Sequence, residues 1–149
     1  MKIKRLITVA LFLLAGCIIQ PMRLAKTASG FPEVVININD FDRVKHEVIT
    51  EMQIIGFSLE DDPENHMCFK KELVYTGSSQ QENFLKKAEV IYSLSQIQKG
   101  IRVILISSVI CTYDSHGTIL KREEMKDNNV WFNYFYTILQ NVKTNVESS

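Results

Sequence analysis

The sequence predicts an α+β fold, in which an antiparallel sheet of about five to six strands carries two helices packed on one face. Two observations support this prediction. Two segments with apolar residues at helical spacing flank a series of strand-like runs, and turn-forming residues separate those runs. The chain has 149 residues, enough for one domain with a buried core, which we place at residues 33–146.

The predicted domain begins with one strand and one amphipathic helix. Residues 33–38 are mostly β-branched or apolar and lie between Pro32 and the polar pair Asn39 and Asp40, which is typical of a short strand. Asn39 or Asp40 can cap the helix that follows, and Gly56 ends it. The helix has one apolar stripe, formed by Phe41, Val44, Val48, Met52 and Ile55.

Several strands follow this helix. Residues 57–61 and 66–76 form a hairpin around a turn that contains Pro63. A longer hairpin runs from Ala88 to Tyr113, and with Lys99-Gly100 as its loop it pairs Leu94 with Leu105, Tyr92 with Ser107 and Val90 with Val109. One face of this hairpin then carries Val90, Tyr92, Leu94, Val103, Leu105, Val109 and Cys111. Residues 118–121 form the last strand.

The second helix is predicted near the C-terminus and is rich in aromatic residues. Asp127 or Asn128 can cap it. Its apolar stripe consists of Trp131, Tyr134, Phe135, Ile138, Leu139, Val142 and Val146, and Phe132 and Tyr136 widen that stripe. We expect this helix to be the main wedge of the core. The alternative is that Phe132 or Tyr136 contacts a partner.

The N-terminal residues have the pattern of an export signal. Positive Lys2, Lys4 and Arg5 precede an apolar run from Leu6 to Leu14, which is typical of a signal peptide spanning residues 1–16. The quartet Leu14-Ala15-Gly16-Cys17 resembles the lipobox of bacterial lipoproteins. The resemblance implies that Cys17 becomes the mature N-terminus, diacylated on its sulfur and usually acylated on its amine.

A lipidated Cys17 would place the domain on the cell envelope. Residues 17–32 form a tether with an r.m.s. span of roughly 20 Å, and residues 147–149 are expected to be a disordered tail. Ile18 follows the cysteine in place of an aspartate, which in Gram-negative lipoprotein sorting implies the outer membrane, facing the periplasm. In a Gram-positive cell the same anchor would hold the domain outside the plasma membrane.

The charge balance excludes several classes of partner. The chain has 17 basic and 17 acidic residues, and removal of residues 1–16 takes away three basic ones, leaving a net charge of −3. This gives no basic field for nucleic acid and no polybasic patch for anionic lipids. The apolar stretch from Leu6 to Ile19 is shorter than the roughly 20 residues of a membrane-spanning helix, so attachment depends on the lipid.

No catalytic or metal-binding signature is recognisable in the sequence. His46-Glu47 begins like a zinc-protease motif, but Thr50 stands where the second histidine would be. His66 and His116 have no ligand-like spacing. We therefore expect no enzyme activity, no metal and no cofactor. A cysteine hydrolase that uses Cys68 or Cys111 with His66 is a distant alternative.

Cys68 and Cys111 have two interpretations. In an exported chain they can form a disulfide bridge, if their strands bring them close enough. Alternatively, both are small buried hydrophobic residues.

The order of elements over residues 33–145 resembles small bacterial envelope lipoproteins, including those related to the helix-grip modules of outer-membrane assembly lipoproteins. The resemblance implies a scaffold or binding role. We expect a membrane-anchored domain that binds another envelope protein, with Trp131, Phe132, Phe135, Tyr136 and Tyr92 as candidates for the partner or ligand surface. One alternative is an immunity or exclusion lipoprotein. Another is a carrier or sensor of a small apolar ligand lined by Trp131, Phe135, Tyr92 and Leu105.

Overall fold

The structure is a computed structural model that describes residues 27–63, 65–73, 85–125 and 128–149. These residues form six strands and two helices. In chain order they are β1 (Glu33–Ile36), α1 (Phe41–Ile54), β2 (Ser58–Asp61), β3 (His66–Leu73), β4 (Leu85–Ile97), β5 (Gly100–Tyr113), β6 (Ile119–Glu124) and α2 (Asn129–Ser148). The predicted α+β class, with one antiparallel sheet and two helices, is confirmed.

All six strands belong to one antiparallel sheet with the order β1-β5-β4-β3-β2. Strand β6 also pairs with β5, beyond the end of β1. Strand β1 pairs with residues 101–104 of β5, and β6 pairs with residues 109–113. Because β4 occupies the other side of β5 along its whole length, β1 and β6 share one edge of β5 and leave a gap between them.

A β-bulge in β5 makes the register between β4 and β5 differ from the predicted one. Tyr92 pairs with Leu105 and Ile91 pairs with Ser107, so Ile106 is an extra residue without a partner on β4. The predicted pairs were therefore wrong: Leu94 pairs with Val103, Tyr92 with Leu105 and Val90 with Ser108. Since an extra residue inverts the alternation of the side chains, Val109 and Cys111 lie opposite Glu89 and Lys87, on the face away from the helices. Both are nevertheless buried.

The hairpin loop also differs from the prediction, and Gly100 explains the difference. The loop is Gln98-Lys99, because Ile97 pairs with Gly100. Gly100 has φ 131°, and a Cβ atom there would lie 2.0 Å from the carbonyl oxygen of Ile36. The glycine is therefore required both by its positive φ and by the close approach of β1.

Both helices begin at capping residues that the sequence anticipates. The carboxylate of Asp40 accepts a hydrogen bond from the Arg43 N–H at 3.0 Å. The side-chain oxygen of Asn128 accepts from Val130 and Trp131 at 3.0 and 3.2 Å. The helices bury apolar stripes against one face of the sheet: Val44, Val48 and Met52 from α1, and Phe135, Ile138, Leu139, Val142 and Val146 from α2.

The folded domain is longer at both ends than the predicted range 33–146. Helix α2 continues to Ser148, and the Glu147 carboxylate accepts a hydrogen bond from the Asn37 N–H at 2.8 Å. At the other end, the hydroxyl of Thr27 donates to the Phe31 carbonyl at 2.6 Å, and Pro32 is buried. Residues 27–32 and 147–148 are thus part of the domain, whereas the predicted signal peptide and Cys17 lie outside the described residues.

Candidate functional site

An opening with a mostly apolar lining, which we call the edge notch, lies between β1 and β6. It encloses about 180 Å³. Its apolar lining comes from the segment before β1, from β5, from the residue after β6 and from the first turns of α2: Phe31, Pro32, Leu105, Ile106, Val109, Met125, Trp131, Phe132 and Phe135. Its polar lining consists of Ser107, Ser108 and Glu124.

The backbone explains why the sheet edge opens at this point. The Leu105 N–H donates to the Pro32 carbonyl at 2.9 Å, and the Met125 N–H donates to the Ser108 carbonyl at 2.9 Å. Pro32 has no N–H with which to continue the ladder. Between these two hydrogen bonds lies the bulge at Ile106, which bends β5 locally. A proline and an inserted residue together create the edge notch.

Aromatic rings connect the edge notch to the core. Trp131 stacks on Phe135 with a centroid distance of 5.4 Å, and Tyr134 lies against both rings at 6.3 and 5.3 Å. Phe135 in turn contacts Tyr92 at 6.4 Å and Phe57 at 6.2 Å. The series runs from fully buried Phe135 to Tyr134, which is 43% exposed. Such edge-to-face and stacked pairs stabilise a fixed arrangement of rings.

The five residues predicted for a partner or ligand surface differ in how deeply they are buried. Tyr92 and Phe135 are fully buried and Phe132 nearly so, while Trp131 and Tyr136 are half-buried. A protein partner cannot reach Tyr92 or Phe135, so their assignment to a protein-binding surface was wrong. Of the predicted ligand lining, Trp131, Phe135 and Leu105 meet at the edge notch, and Tyr92 is not part of its lining.

Three exposed apolar residues lie near the edge notch, and two of them, Val130 and Tyr134, were not predicted to be surface residues. Val130 is 71% exposed and Ile106 is 41% exposed, and Tyr134 joins them although it belongs to the predicted apolar stripe of α2. Val130 lies outside the predicted apolar stripe of α2, and this position was the one feature of the sequence that indicated its exposure. The alternation of the strand places Ile106, which follows core-facing Leu105, on the face away from the helices, and the bulge leaves it without a partner on β4.

The hydroxyl of Tyr92 is buried in the core and has no hydrogen-bond partner among the described residues. Burial raises the pKa of this phenol strongly, and the nearby Tyr134 adds to the effect. Tyr92 is therefore neutral, and its unpaired hydroxyl is a local cost to stability.

Cys68 and Cys111 are free thiols that lie too far apart for a disulfide. Cys68 is on β3 and Cys111 on β5, with β4 between them, and strands two positions apart are separated by about 9.5 Å. A disulfide requires Cα atoms within about 4.4–6.8 Å, so of the two interpretations the disulfide bridge is the wrong one.

The electrostatic surroundings of Cys68 oppose its activation as a nucleophile. Burial is the largest effect and raises the pKa of the thiol; Lys70 opposes it, and the negative charges of Glu89, Asp61 and Glu60 each add a smaller increase. Nucleophilic cysteines instead have a lowered pKa, because the thiolate is the reactive form.

A second cavity, of about 420 Å³, lies on the face of the sheet away from the helices and is lined mainly by charged residues. Lys87 pairs with Glu72 at 3.3 Å, and Lys70 lies 4.0 Å from Glu89. The Tyr113 hydroxyl donates to Glu89 at 3.2 Å; burial and the Glu89 charge raise its pKa to about 12. Opposite charges balance one another along this face, so it presents no strong field to a charged ligand.

A scan of protein-family models and a search of curated proteins each find no match to this chain. Within the described ranges, no three histidine, cysteine or acidic side chains are grouped so as to hold a metal ion. In the same part of the chain, neither helix is both long and apolar enough to cross a membrane.

Proposed function

We propose that this protein is a lipid-anchored protein of the bacterial cell envelope whose α+β domain is a non-catalytic binding module for another envelope protein. The observation that carries the proposal is Cys17, which ends a lipobox-like quartet behind a signal-peptide pattern. Thr27 is the first residue that the structure describes, and residues 18–26 lie between it and Cys17. Nine residues span at most about 32 Å when extended. The domain would work within that distance of a bilayer, with the periplasmic side of an outer membrane as the favoured location.

An exposed edge of the sheet supports a protein-binding role. Among the described strands, β6 pairs only with β5, and its other edge faces away from the sheet. Ile119 and Leu120 at the start of β6 are both more than half exposed. An edge strand with exposed apolar side chains is a template for an added strand from a partner. We infer that an extended segment of the partner binds there.

Three alternatives from the sequence are less well supported. A carrier of a small apolar ligand would use the edge notch, but 180 Å³ is well below the roughly 300 Å³ typical of small-molecule pockets. A cysteine hydrolase is opposed by the raised pKa of Cys68. An immunity or exclusion lipoprotein would use the same anchored binding domain, and the identity of the partner would distinguish it.

The first test is the mass of the protein purified from membranes. We expect the mass of residues 17–149 plus acyl chains, and loss of membrane attachment in Cys17→Ser. The mass of an unmodified chain would contradict the proposed anchor.

The second test is site-specific photocross-linking in intact cells, with the cross-linking group at position 120, which identifies the partner. Pull-downs of that partner then compare the variants Leu120→Glu and His116→Glu with the wild type. His116 is also exposed and lies in the turn before β6, so its substitution adds a similar charge beside the strand. We expect Leu120→Glu alone to lose the cross-linked partner. Equal binding by both variants would exclude the β6 edge as the binding surface.

A further inference from the structure

Four neighbouring residues form an apolar surface at the mouth of the edge notch. Trp131 and Ile106 both line the notch, and Tyr134 contacts the Trp131 ring. Val130 and Tyr134 are four residues apart on α2 and therefore lie on the same side of the helix. Three of the four are more than 40% exposed. We call these four residues the aromatic rim. A contiguous exposed apolar surface of this kind marks an interaction site.

The path of the chain indicates what the aromatic rim contacts. Phe31 and Pro32 line the edge notch, and the hydrogen bond from Thr27 to the Phe31 carbonyl holds the first described residue beside it. Cys17 is ten residues before Thr27, so its Cα lies at most about 36 Å from that of Thr27, the length of a fully extended chain. The anchored end of the domain is thus the end that bears the aromatic rim.

We propose that the aromatic rim docks onto the surface of the bilayer that holds the lipid anchor, with Trp131 and Tyr134 at the level of the headgroups. This inference rests on the proposed lipidation of Cys17. Trp and Tyr favour that level because each joins an apolar ring to a polar group. A short tether makes docking an intramolecular step, so even a weak affinity is sufficient.

Docking by this surface is apolar and not electrostatic. The rim contains no charged side chain, and the mature chain has a net charge of −3. Glu124 lines the notch behind the rim, and Glu33 of β1 is paired with Arg102. We therefore expect docking on zwitterionic lipid, with little dependence on salt, in contrast to polybasic membrane binding.

Trp131 is the sole tryptophan of the chain and reports docking directly. The lipidated protein is reconstituted into phosphatidylcholine vesicles whose acyl chains are brominated near the headgroup, and its emission is compared with that in unbrominated vesicles. We expect bromine to quench the Trp131 emission, and to the same extent at low and high salt, because the indole ring lies at the level of the headgroups. Vesicle flotation of the same samples measures attachment.

Val130→Glu is the test variant. The position is solvent-exposed, and an acidic residue in the first turn of a helix does not destabilise it. Ile54→Glu is the matched control, because Ile54 on α1 is 72% exposed, as Val130 is at 71%, but does not line the edge notch. We expect Val130→Glu to lose most of the quenching while still floating with the vesicles, and Ile54→Glu to behave like the wild type.

The outcomes separate the two proposals. Flotation without quenching of Trp131 overturns docking and leaves the lipid anchor intact. Failure to float, with no acyl chains in the mass, overturns both. A blue shift without quenching by brominated lipid means that another apolar group fills the notch, which also overturns docking. Docking onto the bilayer would also be overturned if Trp131 were shielded from solvent only when a partner protein is present.

Discussion

Removal of the Tyr92 hydroxyl should stabilise the protein. The side chain is fully buried, its ring contacts Phe69 and Phe135 at centroid distances of 6.1 and 6.4 Å, and its hydroxyl has no partner in the described part of the chain. Tyr92→Phe keeps both ring contacts and removes only the polar atom. An unpaired buried polar group costs about 1–3 kcal/mol, and part of that gain is offset by the small void that remains.

We therefore expect Tyr92→Phe to increase the free energy of unfolding by about 1 kcal/mol, which corresponds to a rise of about 4 °C in Tm for a domain of this size. The matched control is Tyr113→Phe. The Tyr113 hydroxyl donates to Glu89 at 3.2 Å, so its removal should lower the free energy of unfolding by about 0.5–1 kcal/mol. The same chemical change is thus expected to have opposite signs at the two positions.

Urea unfolding followed by circular dichroism measures both variants against the wild type, with the slope of the transition checked for two-state behaviour. A loss of more than about 1 kcal/mol in Tyr92→Phe would refute the reasoning. It would mean that the hydroxyl has a buried partner, such as an ordered water.

Two further predictions concern the junction of β1 and β5. Gly100→Ala would place a Cβ 2.0 Å from the Ile36 carbonyl oxygen and should lower the free energy of unfolding by about 2–4 kcal/mol. Gly117 has φ 80° but open space around it, so Gly117→Ala should lower the free energy of unfolding by only about 1 kcal/mol. Thermal unfolding measures both variants, and equal losses of stability would argue against a close approach of β1. Burial raises the pKa of Glu33, but hydrogen bonds from Arg102 and Ser29 more than compensate and hold it below its ordinary value of 4.5. Because this pKa is lower in the folded state than in the unfolded chain, the contribution of Glu33 is complete above pH 4.5 and is lost as the pH falls through the folded value. Glu33→Gln should therefore lower stability by about 1–2 kcal/mol at pH 7 and much less near pH 3, and a pH-independent loss would contradict the role of its charge.

The helices could be predicted because their signals are local. Asp40 and Asn128 cap them through hydrogen bonds to backbone N–H groups two or three residues away. The apolar stripes recur with the helical period, so burial follows from sequence alone. Both ends of α1 agree with the prediction, since Gly56 follows its last turn with φ 85°.

The register of the long hairpin could not be predicted, because it depends on contacts that are distant in the sequence. Gly100 reads as a turn residue, yet its lack of a side chain accommodates Ile36, 64 positions earlier. The run from Ile101 to Ile110 is apolar on both faces, so its alternation does not distinguish one register from another. The consequence for the candidate site was larger than for the fold: Tyr92 was assigned to a binding surface, whereas Val130 was overlooked.

The bulge at Ile106 connects the fold to the proposed docking surface and can be tested separately from the chemistry of the rim. On both sides of Ile106, the pairs between β4 and β5 are regular. Deleting this residue would therefore keep every pair and every face while removing the bend. It would also bring the hydrogen bonds to Pro32 and Met125 closer by about 3.3 Å, the rise of one strand residue.

We expect the Ile106 deletion to fold, with the same strand content by circular dichroism and a modest change in stability, because the residue is 41% exposed. The edge notch would narrow, and Trp131 would lose contact with the bilayer. Ile106→Ala is the control, since it shortens the side chain but keeps the bulge. Quenching of Trp131 that persists after the deletion would show that the bulge has no part in docking, even if the aromatic rim does.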